Sequence, residues 1–384
     1  MTTPIYVMAH DRPESLLRLL DSLAAADVAR GTSLYISIDP GGARQGEVEA
    51  VATKFVWQAG TLDVAVAPRR RGLVAHFHAL GDLAAAVGDF VLLEDDLEVG
   101  PAFHRWAGQA LAAYRDDPGV TGISLNALWF NGFSSLPFVP MLDGSDVFFA
   151  QVPWYQGMVF TSDWWRAWRE DARTDSAFVD LPPMYGELGD EEWFGDMAAF
   201  LAATGRTFVF PRRSHSTNHA EAGVHFDRRS SWFQVPVEQR AADWRLSPLS
   251  ESLARYDAWL EIDPEVLRSA GAIDLPDDIV VDLTGQRRSW SWPDQWVLTT
   301  NQASQTNRTW GMQRHPIEAN VLAGQAGTGI SLCSASNIRL GRVALAGAAA
   351  ARRSYAAHGQ PTGVRGTAID AAARLASRLG RRRW

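Results

Sequence analysis

Three consecutive carboxylates, Glu94, Asp95 and Asp96, follow directly on the apolar run Phe90-Val-Leu-Leu93. An apolar run of that length bounded by polar residues reads as an inner strand of a sheet. Acids crowded at a strand end repel one another, and a cation among them makes the arrangement favourable. Hard divalent cations prefer carboxylate oxygens. In open α/β sheets, ligands bind beyond the carboxyl ends of the strands. The triplet therefore predicts a metal-assisted site for an anionic substrate, a diphosphate above all. The competing reading is a solvated acidic turn.

A second acidic run, Asp190-Glu191-Glu192, precedes Trp193 and opens a predicted helix through Leu201. Carboxylates at that position can serve as a general base. They also suit a helix N-terminus, whose dipole favours negative charge.

The elements that must position these groups alternate along the chain. Residues 4–9 predict a first strand, and His10-Asp11-Arg12-Pro13 breaks it and opens a helix with Leu16, Leu17, Leu20 and Leu23 on one face. Leu34 to Ile38 predicts a second strand, closed by the turn cluster Asp39-Pro-Gly-Gly. A helix over Gly46 to Trp57, a strand over Asp63 to Ala67 and a helix through His76, His78 and Leu83 lead into the acid-bearing strand. Such alternation implies a mostly parallel sheet with helices on both faces. It would carry Arg12, Asp39 and the triplet to one rim. Neither Gly-x-Gly-x-x-Gly after the first strand nor Gly-x-x-x-x-Gly-Lys-Ser is present, which removes the usual dinucleotide and P-loop readings.

Beyond the triplet, Pro101 to Tyr114 predicts a helix, and Val120 to Leu125, Val147 to Gln151 and Thr207 to Phe210 predict strands. Trp154-Tyr-Gln-Gly-Met158 reads as a turn entering a helix with Trp164, Trp165 and Trp168. Residues 1–230 make one α/β domain on this reading, 231–262 a helical connector, 263–350 a small second unit and 351–384 a basic tail. Ile369, Leu375 and Leu379 with Arg374, Arg378 and Arg381 to Arg383 could form a short amphipathic basic helix that meets an anionic membrane face.

Composition excludes some classes. The chain has 384 residues, 46% hydrophobic and 21% charged, as expected of a protein that buries a sizeable core. A net charge of -8 argues against nucleic-acid binding, which wants a basic face. Cys333 is the only cysteine, so no intrachain disulfide is available and a reducing cytoplasm is the expected compartment. No secretory-signal pattern is visible, and no segment reaches the ~18 uncharged apolar residues of a span. Of sixteen tryptophans, Trp129 and Trp154, with Tyr155, are candidates for stacking on sugar rings.

With these pieces in order, the chain resembles GT-A-type glycosyltransferases, in particular the N-acetylglucosaminyltransferase I group and related bacterial sugar transferases. The matching stretches are Pro4 to Arg12, Ile38-Asp-Pro-Gly-Gly42, Leu93-Glu-Asp-Asp-Leu-Glu-Val99, Gly189-Asp-Glu-Glu-Trp193 and Pro211 to Phe226. The resemblance covers about residues 4–226. It implies a GT-A (Rossmann-like) fold, a nucleotide-sugar donor, expected to be UDP-linked, and a divalent metal, Mn2+ or Mg2+. It makes Asp96 the metal ligand, with Glu94 and Asp95 facing the ribose and the metal's waters. Arg12 and Asp39 would hold uracil and ribose, a buried ion pair being the alternative. Arg71 and His76 are further candidates for the diphosphate. Glu192 matches the position of the base, with Glu191 and Asp190 as rivals. His225 is a candidate for the metal or diphosphate, and His215 and His219 are alternates.

The activity so implied is inverting transfer of a hexosyl or N-acetylhexosaminyl group to a hydroxyl of a glycan or lipid-linked acceptor, at the cytoplasmic side. A nucleotidyltransferase of sugar activation, or a sugar-binding module without turnover, are the alternatives.

Overall fold

The computed structural model describes residues 2–131, 136–171, 180–182, 185, 193–219, 234–270, 275–287 and 295–339. The first half alternates as its pattern predicts. β1 (Ile5–Ala9) is buried throughout and leads into α1 (Pro13–Ala25), with Pro13 at its first turn and Leu16, Leu19, Leu20 and Leu23 on its buried face. β2 (Leu34–Ile38), α2 (Gln45–Lys54), β3 (Leu62–Val66), α3 (Leu73–Val87) and β4 (Phe90–Glu94) follow. Phe90 to Leu93 are wholly buried. At ~1.5–3 kcal/mol for each fully buried side chain, they offset the several kcal/mol that removing a carboxylate from water costs. That margin lets acids sit directly at the strand end.

Next come β5 (Leu97–Val99), α4 (Phe103–Tyr114), β6 (Val120–Ser124) and a short hairpin of β7 (Phe130–Asn131) and β8 (Leu136–Pro137). β9 (Val147–Ala150), β10 (Met158–Phe160), α5 (Ser162–Arg169), α6 (Phe194–Thr204), β11 (Thr207–Pro211), β12 (Ser216–Asn218) and β13 (Arg255–Tyr256) complete the main body. Nine of these strands form one sheet in the order β13-β9-β11-β6-β10-β4-β1-β2-β3. β1, β2, β3, β4, β6 and β11 run one way, and β9, β10 and β13 run against them. The mixed, mostly parallel α/β architecture is thus present.

Two stretches differ from their sequence pattern. Residues 154–158 do not turn straight into a helix. Met158 to Phe160 insert between β4 and β6, with Met158 opposite Leu92 and Ser124. Three residues are too few to show a strand period, and only the gap in the sheet makes them one. The connector expected to be helical is not: residues 234–262 hold one 3-10 turn, Leu249–Glu251, and the edge strand β13. Pro236 and Pro248 break helical hydrogen bonding, and Trp244 is spent packing on Trp106. The large sheet therefore extends past residue 230.

Beyond it, α7 (Pro264–Ser269) leads to a four-stranded sheet of β14 (Val280–Asp282), β15 (Trp296–Thr299), β17 (Arg308–Trp310) and β18 (Ile330–Ser334), beside a small pair of β16 (Gln302–Ala303) and β19 (Ile338–Arg339). A buried polar seam joins it to the main body. Glu261 accepts hydrogen bonds from the Leu283 and Thr284 amides at 2.9 and 2.8 Å. Burial, with Asp282 nearby, pushes the Glu261 carboxyl up to about 8. No helix among the described residues is long and apolar enough to cross a membrane.

The imidazole of His215 lies stacked on Trp106 (5.0 Å) and edge-on to Trp244 (5.2 Å), with no hydrogen-bond partner on either ring nitrogen. Burial lowers its pKa to about 3. It stays neutral in the fold while the unfolded chain takes up a proton below about 6.5. Its contribution to stability is therefore whole above pH 6.5 and lost as the pH falls toward 3, with a ceiling of about 5 kcal/mol. His215→Phe is expected to flatten the acid limb of a urea-denaturation stability profile between pH 6.5 and 4. An unchanged limb would place the acid lability elsewhere.

Candidate functional site

The parallel registers decide the geometry. Ala9 pairs with Ile38 and Met8 with Glu94, so β1, β2 and β4 end level with one another. Their continuations, His10 to Arg12, Asp39 and Asp95-Asp96, meet at one rim. Asp95 is buried and Asp96 half-buried. The Arg12 guanidinium donates one nitrogen to Asp95 Oδ1 and the other to Asp96 Oδ2, the latter at 3.0 Å. Burial pushes the Asp95 carboxyl up to about 6 against the opposing pull of Arg12. Burial also opposes the Arg12 charge, but Asp95, Asp96 and Glu94 outweigh it and raise its pKa.

Asp39 has a different task. Its two carboxylate oxygens accept from the Arg71 and Gly72 amides at 2.8 and 2.9 Å. Gly72 has φ +80°, a conformation that favours glycine, and it caps α3. Asp39 thereby fixes the turn that starts α3 and leaves the Arg71 side chain exposed. The His10 ring lies 2.7 Å from the Asp39 carbonyl. Gly42 is needed for close approach, since a Cβ there would lie 2.6 Å from the Asp11 carboxyl. The structure thus gives Arg12 and Asp39 partners within the chain, and they do not pair with each other. His76 is buried in the first turn of α3, 2.7 Å from Ser37 Oγ, and burial lowers its pKa to about 4. A neutral, enclosed imidazole is poorly suited to meet a diphosphate.

Other elements reach the same rim because of their direction. β10 runs down from it, so Trp154, Tyr155 and Gln156 stand at its upper end. Trp154 and Tyr155 are half-buried with ring centroids 5.3 Å apart, and Trp154 Nε1 donates to Asn126 at 2.8 Å. Trp129 is exposed. β12 pairs with β5, which the sequence did not foretell, because Ser-Thr-Asn carries no apolar alternation. That pairing sets His219 against the triplet: its amide donates to the Asp96 carbonyl at 3.1 Å and its ring lies 2.7 Å from Glu98. His215, the other alternate, is enclosed by tryptophans.

Asp190, Glu191, Glu192 and His225 lie outside the described residues, as does the basic tail. The residues flanking the acidic run are described. Tyr185 is buried with its ring 5.8 Å from Phe194, and Phe194 stacks on Tyr155 at 5.9 Å. Trp193 stacks on Phe77 of α3 at 4.0 Å. Trp193 and Phe194 thus pack beside rim elements.

Among the described residues no group of three His, Cys, Asp or Glu side chains could hold a metal ion. Two carboxylates converge, and they face a guanidinium. The donor set is hard oxygen, and Asp96 keeps one-fifth of its side chain exposed. Such a set fits an Mg2+- or Mn2+-type cation that arrives with substrate phosphates and takes one or two carboxylates from the protein. It does not make a resident cage.

No protein-family model and no curated protein matches the chain. Among solved structures it is similar to residues 1–349 of S. aureus TarS, at 11% identity over 57% of this chain and 61% of that one, with a TM-score of 0.35. It is similar to the mannosyltransferase PcManGT from Pyrobaculum calidifontis, which is in complex with GDP-Man and Mn2+, at 14% identity over 55% of each chain and a TM-score of 0.33. A UDP-glucose pyrophosphorylase from Acinetobacter baumannii matches at 9% identity over 57% of this chain and 88% of that one, with a TM-score of 0.36. The chain spans under two thirds of the first two proteins. Likeness at this level does not place it in a family.

Removing Arg12 leaves Asp95 buried beside a like charge. Arg12→Met is expected to cost roughly 2–3 kcal/mol at pH 8, below the ~3–5 of a fully buried pair because Arg12 is partly exposed. The cost should shrink toward pH 5 as Asp95 takes up a proton, and adding Asp95→Asn should restore most of it. Urea denaturation at the two pH values checks both; equal costs would mean that Asp95 does not depend on Arg12.

Proposed function

We propose that the chain is a metal-dependent, inverting glycosyltransferase that moves a hexosyl or N-acetylhexosaminyl group from a nucleotide-sugar donor, UDP-linked, to a hydroxyl of a glycan or glycolipid. The observation that carries this reading is the meeting of Arg12, the Asp39 turn and the Glu94 to Asp96 triplet at the carboxyl ends of three adjacent parallel strands. Ligands of open α/β sheets bind at that edge.

Charge supports a cation-borne donor. The carboxylates of the triplet suit a donor whose diphosphate arrives with a divalent cation. A divalent cation, when bound with the donor, supplies Lewis-acid stabilisation of the leaving diphosphate. Asp96 is the residue of the triplet to hold it, with Asp95 and Glu94 toward the ribose and coordinated waters. Arg12 holds the two aspartates in place through its paired hydrogen bonds. The exposed Arg71 can reach the diphosphate. Trp154 and Tyr155 offer flat faces to the sugar. One carboxylate of Asp190, Glu191 or Glu192 takes the acceptor's proton, and Glu192 is preferred. A single base on the far face gives inversion. His219 joins His225 as a candidate beside the metal. The basic residues near 374–383 would favour an acceptor at the inner face of a membrane.

UDP with Mn2+ is expected to raise the melting temperature, and UDP with EDTA is not. Asp96→Asn should lose the metal-dependent part. No shift for any nucleoside diphosphate with Mn2+ or Mg2+ would remove this reading, and release of pyrophosphate from a nucleoside triphosphate would favour a nucleotidyltransferase.

Once a donor is found, replacing the base should lower kcat by roughly 10²–10⁴ with donor binding kept. Glu192→Gln, Glu191→Gln and Asp190→Asn, compared side by side, identify it. Three equally mild effects would mean that the base lies elsewhere.

A further inference from the structure

A second opening lies at the other end of the sheet from the rim. The registers of β1, β2 and β3 set Tyr6 beside Tyr35 and Tyr35 beside Asp63. Registered neighbours share a face, so the three side chains form one row across the strands. α3 packs on β1 and β4, while β3 is the edge strand. The row therefore runs out from under the helix: Tyr6 is buried, Tyr35 half-buried and Asp63 exposed. Between the row and the last turns of α3 lies a cleft of about 770 Å³, edged by Asp89 and Arg115. That volume is within the ~300–1,000 Å³ of small-molecule sites. The five residues of β1 span roughly 17 Å at ~3.3 Å each, which keeps this cleft apart from the rim.

Its groups are built in and left unspent. The Tyr6 and Tyr35 rings lie 5.7 Å apart, tilted by 41°, and Phe90 meets Tyr6 edge-on at 6.0 Å. Among the described residues neither phenol hydroxyl meets a hydrogen-bond partner, and neither is sealed from solvent. Asp89 accepts from the Ser162 amide at 3.3 Å and from one Arg115 nitrogen at 3.0 Å, which fixes the arginine at the edge of the cleft. A guanidinium has five N–H donors, so most remain for a ligand. On the opposite wall Leu83 and Val87 are exposed, at 44% and 71%.

Phenols, a carboxylate and a guanidinium are thus spread around one opening, with apolar surface between them. A ligand with a single polar group would leave the others unpaired. A ring that carries hydroxyls around its edge and C–H groups on its faces meets all of them at once, and tyrosine offers both a flat face and a hydroxyl. We propose that this cleft is a second ligand site, separate from the rim, and that it takes a short neutral oligosaccharide. The site stands whatever reaction the rim performs.

Hydrogen–deuterium exchange of the full chain, with a panel of neutral mono-, di- and trisaccharides of glucose, galactose, mannose and N-acetylhexosamines, tests it. At least one trisaccharide should slow exchange in peptides covering 2–6, 33–35 and 83–89, more than its monosaccharide does, and leave 94–98 unchanged. UDP with Mn2+ should not displace it, and Asp96→Asn should still bind it. Calorimetry should show Tyr35→Phe and Asp63→Asn each weakening that sugar roughly 2- to 10-fold, as for one lost hydrogen bond. Both changes are mild and lie on a half-buried and an exposed residue, and an unaltered melting temperature confirms the fold. No protection from any sugar of the panel, protection at 94–98 alone, or full affinity in both variants would overturn the site. Failure of the rim to bind any nucleotide would leave it untouched.

Discussion

One guanidinium shared by two aspartates governs the rim. β4 drives four wholly buried apolar residues into three carboxylates, and Asp95 is carried inside with them. An isolated carboxylate there would be protonated or would destabilise the strand. Arg12, arriving from the end of β1, answers Asp95 and Asp96 together. The strand ends must therefore be level, and the parallel pairing of β1 with β4 makes them so.

Around that ion pair the chain uses backbone donors more than side chains. Asp39, at the end of β2, spends its carboxylate on the amides that begin α3, and so builds the turn that exposes Arg71. His219 is brought to Asp96 by main-chain pairing of β12 with β5. Aromatic stacking does the rest: Trp193 on Phe77 and Phe194 on Tyr155 tie the helix that follows the acidic run to the first turn of α3 and to the lead-in of β10.

The alternating half of the fold was legible because each strand there is a continuous buried run and each helix has a one-sided apolar face. The bounds of β2 and the start of β4 follow the residues themselves. Legibility failed where an element owes its state to its neighbours. Met158 to Phe160 are a strand because β4 and β6 leave a slot for them. Residues 234–262 are irregular because Trp244 and Tyr256 are used as side-chain anchors across the sheet edge, which no period records. Of the site, the triplet, Arg12 and Asp39 were visible as polar residues at strand ends. Their partners were not, since a carboxylate that binds backbone amides looks the same in sequence as one that waits for a ribose. His215 and His219 stood four residues apart and looked equivalent, yet one is sealed between indoles and the other meets the acids.

By itself, the sequence determined the alternation of strands and helices up to β4, the apolar strand that ends in acids, and a net charge of -8. These are local or summed properties, set by burial period and residue chemistry. Only the tertiary structure decided which charges meet. It paired Arg12 with Asp95 and Asp96 and not with Asp39, sealed His76 against Ser37, and joined Arg287 to an aspartate 107 residues away. The physical reason is that electrostatic and hydrogen-bond energies depend on distance in space and on the loss of water, and the chain acquires both only when its sheet closes.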